Sequence, residues 1–479
     1  MPDWTKEQKK AIDSRHGSIL VSAAAGSGKT AVLVQRVIER LKDEDNPCPA
    51  DELLIVTFTR AATAQMKERI YQALMSEIDK APDSDLLKRQ ALLLPFAKIS
   101  TIDSFCNDIV RENFHDIDIS PDYGILDNSQ LALMCDDAVS RVMDELYKEN
   151  SPEFTELVGI MANGTDDSAL TDLICKLYND SMAFARPEEF LYGLSCVYHN
   201  DIPLEDHLWG NIIIDYAAQS IEYCLMLCEK MYDAGIADPI VGEKYSVGIA
   251  NNTAMFEELA KIIEHGSWDE IRNAISSASV GSLGRLPNKY SSAQSESVKA
   301  QKKVLSDQLK KLTALFCASE SENKDDMNYL EPIAEKLIDA VVRYGEILNE
   351  EKKAVNSYDF SDICHFALKL LVSYDKDGKA HKTPLAESFA ERFEEILVDE
   401  YQDVNDLQNT LFWAVSKNET NMFTVGDVKQ SIYRFRQAMP EIFLRKRKAL
   451  ENFEGDNYPA KITLDRNFRS RSGVTENVN

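Results

Sequence analysis

The stretch Ser18-Ile19-Leu20-Val21-Ser22-Ala23-Ala24-Ala25-Gly26-Ser27-Gly28-Lys29-Thr30 carries a short apolar run straight into a loop of small residues ending in Lys-Thr. Residues 18–22 predict a buried β-strand. Residues 29–41 follow with apolar side chains at 34, 37, 38 and 41, the spacing of a helix that buries one face. A strand handing over to a helix through such a loop lets successive backbone N–H groups surround a polyphosphate. Ala23, Ala24, Ala25, Gly26, Ser27 and Gly28 form the loop, with Gly26 and Gly28 permitting backbone conformations that a side chain would obstruct. Lys29 is expected on the β- and γ-phosphates and Thr30 on Mg²⁺, so ATP with Mg²⁺ is the expected cofactor. A strict P-loop has Gly where this chain has Ala23, a departure that some P-loop families share.

Working outward, Leu53 to Phe58 reads as the next strand, and the first hundred or so residues alternate strands with amphipathic helices. That alternation predicts an α/β fold with a parallel sheet. From about Asn113 to Asn356 the pattern changes to long, acidic helical segments, with a Ser/Gly-rich stretch at 276–299 expected to form a mobile loop. Strand patterns return at Ile396-Leu397-Val398 and Met422-Phe423-Thr424-Val425. One sheet is therefore expected from both ends of the chain, with a helical insertion between. The run Ala460 to Asp465 starts a further strand about fifteen residues before the last residue, which reads as the opening of another domain in a longer protein.

With 479 residues and 44% hydrophobic content, the chain can bury two to four domain cores. Its net charge of −27 argues against coating nucleic acid by bulk charge and directs attention to a local basic groove. Nine scattered cysteines without a CxxC pair suit a reducing cytoplasm. Cys224 and Cys228 share a helix face, but the apolar residues around them favour core packing over ligation. No uncharged run is long enough to span a membrane.

Asp399-Glu400 closes the apolar run 396–398 and complements the P-loop. Asp399 can hold Mg²⁺, and Glu400 can orient and deprotonate the attacking water; a solvated acidic turn is the alternative. Gln430 is placed to bond the γ-phosphate or that water. Tyr433 and Phe435 are candidates for base stacking, worth roughly 1–3 kcal/mol per base, with Arg436 beside them, although the spacing equally allows core residues of a strand. Phe58, Thr59 and Arg60 end a strand with an aromatic and a cation, and Thr101 and Ser104 offer hydroxyls to phosphate oxygens. Gln8 can read adenine through its amide, or simply be solvated.

Residues 23–30, 57–60, 399–403, 425–436 and 466–470 fall in the order of the motifs of superfamily 1A helicases, and the chain resembles their UvrD/Rep group over nearly its whole length. Within that group it is most similar to the AddA type, found in AddAB-type ATP-dependent helicase-nucleases. The resemblance implies a RecA-like domain 1A built from 1–112 and 357–455, a helical domain 1B at 113–356, and the start of a second RecA-like domain, 2A, at 456–479. It also implies that Gln8 contacts adenine, Phe468 stacks on it and Arg469 reaches the γ-phosphate across the interdomain cleft. Phe58, Tyr433, Phe435 and Arg436 fall on positions that contact single-stranded DNA in the group. Asp359-Phe360-Ser361-Asp362 resembles a further motif near that track. Three positions depart: Ala31 replaces a common Arg, Asp103 a common His, and Gln437 the Gly of UvrD and Rep, the last favouring the AddA side.

The function implied is an ATP-dependent 3′ to 5′ DNA helicase motor, acting on single-stranded and duplex DNA. It would belong to a cytoplasmic helicase-nuclease with an AddB-type partner that processes double-strand breaks for recombinational repair. A stand-alone repair helicase without nuclease is one rival. An ATP-binding switch or scaffold, whose ATPase would ignore single-stranded DNA, is another.

Overall fold

A computed structural model describes residues 4–117, 119–161, 166–432, 434 and 437–468. Seven strands form one sheet: β1 (Ile19–Ala23), β2 (Leu53–Thr57), β3 (Lys98–Thr101), β4 (Glu395–Val398), β5 (Met422–Gly426), β6 (Glu451–Asn452) and β7 (Ala460–Leu464). Their order is β6-β7-β1-β5-β4-β2-β3, and every pairing is parallel. Parallel sheets need cover on both faces, which is why these strands read as near-continuous apolar runs. The two-residue pleat then sorts the side chains. Leu20, Leu54, Val56, Ile396 and Val398 enter one core, and Ile19, Val21, Ile55, Leu397 and Phe423 the other.

Helices α1 (Lys6–Asp13), α2 (Lys29–Leu41) and α3 (Arg60–Lys80) pack on the second face. The first face is covered by α4 (Ile102–Glu112) and by the helices Phe360–Leu371 and Asp406–Val415. Beneath α2, Glu395 is sandwiched between two arginines. Arg36 donates through Nε at 2.6 Å and Arg40 through Nε at 3.1 Å, all three side chains being buried. This joins the helix after the P-loop to the start of β4.

The run 460–465, expected to open a further domain, belongs to this sheet instead. Ala460–Leu464 pairs with β1 residue for residue, Ile19 to Ala460 through Ala23 to Leu464. The reason is its pattern: Ala460, Ile462 and Leu464 enter the core that α1 and α2 cover.

The chain divides into two compact units. One holds Met1–Tyr147, Ser168–Phe190 and Val341–Asn479, and the other Lys148–Asp167 and Leu191–Ala340. In the second, α5 (Leu208–Ala237), α6 (Pro239–His265), α7 (Trp268–Ser277) and α8 (Ala293–Leu315) share a core that includes Cys224, Cys228, Tyr245, Phe256 and Trp268. Burial pushes the Cys224 thiol up to about 12, the behaviour of a packed rather than a reactive cysteine. The Ser/Gly-rich stretch is fastened to α6. Gly281 N–H donates to Asn252 at 2.7 Å, the Tyr290 hydroxyl donates to Asp238, and a Cβ on Gly248 would stand 2.6 Å from the Ser282 carbonyl oxygen.

Candidate functional site

Every candidate residue that the structure describes, Gln8 apart, leaves or follows the carboxyl end of a strand, where open α/β sheets place their ligand sites. After β1, Gly26 and Gly28 take φ of 73° and 83°, left-handed values that suit glycine. Gly28 is the N-cap of α2, so Lys29 and Thr30 begin the helix with its free N–H groups and positive dipole end facing the loop. The Ser27 hydroxyl is buried and has no hydrogen-bond partner among the described residues. An unpartnered hydroxyl next to a helix N-terminus that opens with a lysine fits a polyphosphate.

Gln8 is not solvated. Its Oε1 accepts from Thr5 N–H at 2.9 Å to complete a capping box, and its Nε2 donates to the Ser27 carbonyl at 3.0 Å. The helix cap thus fixes the P-loop's outer wall. Phe468, 57% exposed, is tied to the same loop by its N–H, which donates to Gly26 O at 2.8 Å. Arg469 lies outside the described residues.

After β4, the Lys29 ammonium donates to Glu400 Oε2 at 2.8 Å. Asp399 accepts the Glu400 N–H at 3.1 Å. Burial pushes the Asp399 carboxyl up to about 6, Glu400 adding to the rise and Lys29 opposing it. A buried acid with that demand is a strong ligand for a divalent cation, which would hold it ionised. Glu400 itself takes the left-handed region at φ 53°.

Gln402 and Asp403, the last two residues of the stretch 399–403, connect these acids to β5. Gln402 Nε2 donates to Glu400 and to Asp403, both at 2.9 Å, while its Oε1 accepts Asp427 N–H at 2.8 Å. Asp427 in turn accepts the Gln430 amide, and the Ser431 hydroxyl donates to Asp403 at 3.0 Å. An unbroken polar path therefore runs from Lys29 to Gln430 and Ser431. Tyr433, Phe435 and Arg436 lie outside the described residues.

At the far edge of the sheet, Arg60, Thr101 and Ser104 line one cleft of about 550 Å³. Lys67, Lys98 and the exposed Phe96 line it too, and none of these three stands out in the sequence. Lys98 is paired with Asp108 at 2.7 Å. Two of the predicted hydroxyls are already engaged: Thr59 caps α3 by accepting Ala62 N–H at 3.1 Å, and Thr101 caps α4 by accepting Ser104 N–H at 3.2 Å. Phe58 is half-buried and does not line the cleft. In the motif 359–362, Asp359 caps the helix Phe360–Leu371, and both aspartates accept from the buried Lys352 ammonium at 2.8 Å. Only Phe360 of that motif stands well exposed.

The model of the UvrD/REP helicase N-terminal domain matches residues 4–451. The chain is 36% identical over 495 residues to a protein of Clostridioides difficile (strain 630) whose name describes the A component of an ATP-dependent helicase/nuclease, covering 100% of this chain and 38% of that protein. It is 37% identical over 485 residues to the protein of the same name from Acetivibrio thermocellus (99% and 39%). Against that of Clostridium acetobutylicum it is 32% identical over 496 residues (100% and 39%). The chain thus spans about two-fifths of the length of these curated relatives. Among the described residues, no helix is long and apolar enough to cross a membrane. With a P-loop, paired acids and a downstream glutamine at neighbouring strand ends of one parallel sheet, the chain belongs to the UvrD/REP helicase family, whose N-terminal domain it holds.

Proposed function

We propose that the chain is the N-terminal motor portion of an ATP-dependent DNA helicase that translocates 3′ to 5′ and serves a cytoplasmic helicase-nuclease in double-strand break processing, with an AddB-type partner. The observation that carries the reading is the polar path from Lys29 through Glu400, Gln402 and Asp427 to Gln430. A nucleotide-driven motor needs such a connection between its phosphate site and its strand-binding segment; a passive nucleotide-binding scaffold does not.

Bound ATP with Mg²⁺ supplies the transferable phosphoryl group and the cation that offsets its charge. The loop 23–28 would hold the phosphates through backbone N–H groups, with Lys29 on the β- and γ-phosphates and Thr30 and Asp399 on the metal. Gln8 and Phe468 flank the loop where an adenine would lie, and Arg469 is assigned to the γ-phosphate. Glu400 acts as base towards water once Lys29 turns from its carboxylate. Gln430 reads the phosphate, and the cleft with Arg60, Thr101 and Ser104 holds single-stranded DNA, extended by Phe58, Thr59, Tyr433, Phe435 and Arg436.

The test is ATP hydrolysis by the full-length protein with and without single-stranded DNA. Strong stimulation that Lys29→Ala abolishes is expected. Hydrolysis indifferent to DNA sinks the motor reading.

A further inference from the structure

Gln402 is 1% exposed and follows Glu400 in the turn Tyr401–Asp403. A carboxamide has two N–H donors and one carbonyl oxygen. Here both donors are committed, to Glu400 Oε2 and Asp403 Oδ2, and the oxygen holds the main-chain N–H of Asp427. One rigid planar group thus bridges the acid beside the P-loop to the first residue after β5.

Nothing around Gln402 lets it adjust in silence. Gly426 precedes Asp427, and a Cβ there would stand 2.6 Å from Gln402 Oε1 and 2.8 Å from Phe443 Cε2. The absence of a side chain at 426 is what lets the amide reach the main chain. Beyond it, Asp427 accepts the N–H of Lys429 at 3.1 Å and the Gln430 amide, and Asp403 accepts from Ser431. The carboxylates on both sides of Gln402 are therefore fastened to 429–431.

We propose that Gln402 is the positioning residue that couples occupation of the P-loop to the strand-binding segment after β5. This rests on the functional reading above, in which Lys29 exchanges Glu400 for a phosphate. Glu400 Oε2 now accepts from two donors, Lys29 and Gln402. When Lys29 leaves, the carboxylate is free to turn, and Gln402 can follow it only by moving its own oxygen off Asp427. The amide plane converts a change of partner at Glu400 into a displacement of the backbone that leads to Gln430.

The experiment measures the affinity of the full-length protein for a fluorescent oligo-dT without nucleotide and with a non-hydrolysable ATP analogue. The analogue's own affinity is measured with and without the oligonucleotide. Coupling is reciprocal, so the two ratios must agree, and a value of roughly ten-fold is ordinary. Gln402→Ala is expected to leave each ligand's affinity alone unchanged while bringing both ratios to about one. A merely structural role would lower both affinities together and leave the ratio standing. Gly426→Ala, which presses on the amide oxygen without altering a polar group, is expected to lose the ratio in the same way and serves if the first variant does not fold. A Gln402→Ala protein that keeps the parent's ratio overturns the proposal alone. A parent protein with no ratio at all brings down the functional reading and this inference with it.

Discussion

At the scale of single residues, Glu400 is held where few side chains rest. A non-glycine residue in the left-handed region costs on the order of 1 kcal/mol or more, and persists where its surroundings over-determine it. Here they do: its N–H is bound by Asp399, and its carboxylate by Lys29 and Gln402. The pairing with Lys29 means that the residue proposed as base and a bound phosphate compete for one ammonium. Removing the charge should therefore separate two effects. Glu400→Gln is expected to lower ATP hydrolysis by roughly 10²–10⁴-fold, the range for loss of a general base. It is also expected to tighten nucleotide binding, because Lys29 no longer faces a carboxylate. Titration with a fluorescent nucleotide checks the second effect, and weaker binding by the variant would refute the competition.

Elements are fastened by groups whose roles a linear reading confuses with ligand binding. Helix Phe360–Leu371 is capped by Asp359, and His365 within it is hydrogen-bonded through Nε2 to the Met182 carbonyl at 3.1 Å. That contact requires a proton on Nε2. Burial holds the ring's pKa below its ordinary 6.5, outweighing the pull of the carbonyl and of Asp359. The neutral ring already carries that proton, so the one that titrates goes to Nδ1, and the native state binds it less readily than the unfolded chain. Its contribution is complete above pH 6.5 and is lost as pH falls through the depressed native value. Thermal melts of the parent and of His365→Gln from pH 8 to pH 5 should show the parent's advantage shrinking only below about 6.5; a constant difference would mean that the ring does not titrate against folding. The same confusion explains Thr59 and Thr101. A threonine before a helix can cap it or meet a phosphate, and residue type alone does not choose. The P-loop was legible because strand, glycines and lysine lie within thirteen consecutive residues. Gln402 was not, because its meaning lies in a bond to Asp427, twenty-five positions away.

The whole molecule was legible in its alternation and not in its assembly. Strand patterns at both ends predicted a shared sheet, but the pairing of β7 with β1 depends on which neighbour completes a core, and local pattern carries no such information. Likewise, the long helices between 113 and 356 read as one insertion, whereas 148–167 and 191–340 form a unit of their own. That unit has its own core around Trp268, distinct from the two on the sheet faces. Separate cores predict separate melting. The four tryptophans allow the test, since Trp209 and Trp268 lie in the helical unit and Trp4 and Trp413 in the sheet unit. Replacing either pair with Phe leaves emission that reports one unit. A non-hydrolysable ATP analogue at one hundred times its dissociation constant should stabilise the unit that binds it by about 2.7 kcal/mol. The transition reported by Trp4 and Trp413 is expected to rise by several degrees, with that reported by Trp209 and Trp268 unmoved. Equal shifts in both would mean that the two cores unfold as one cooperative body, and that nucleotide binding is felt throughout the helical unit.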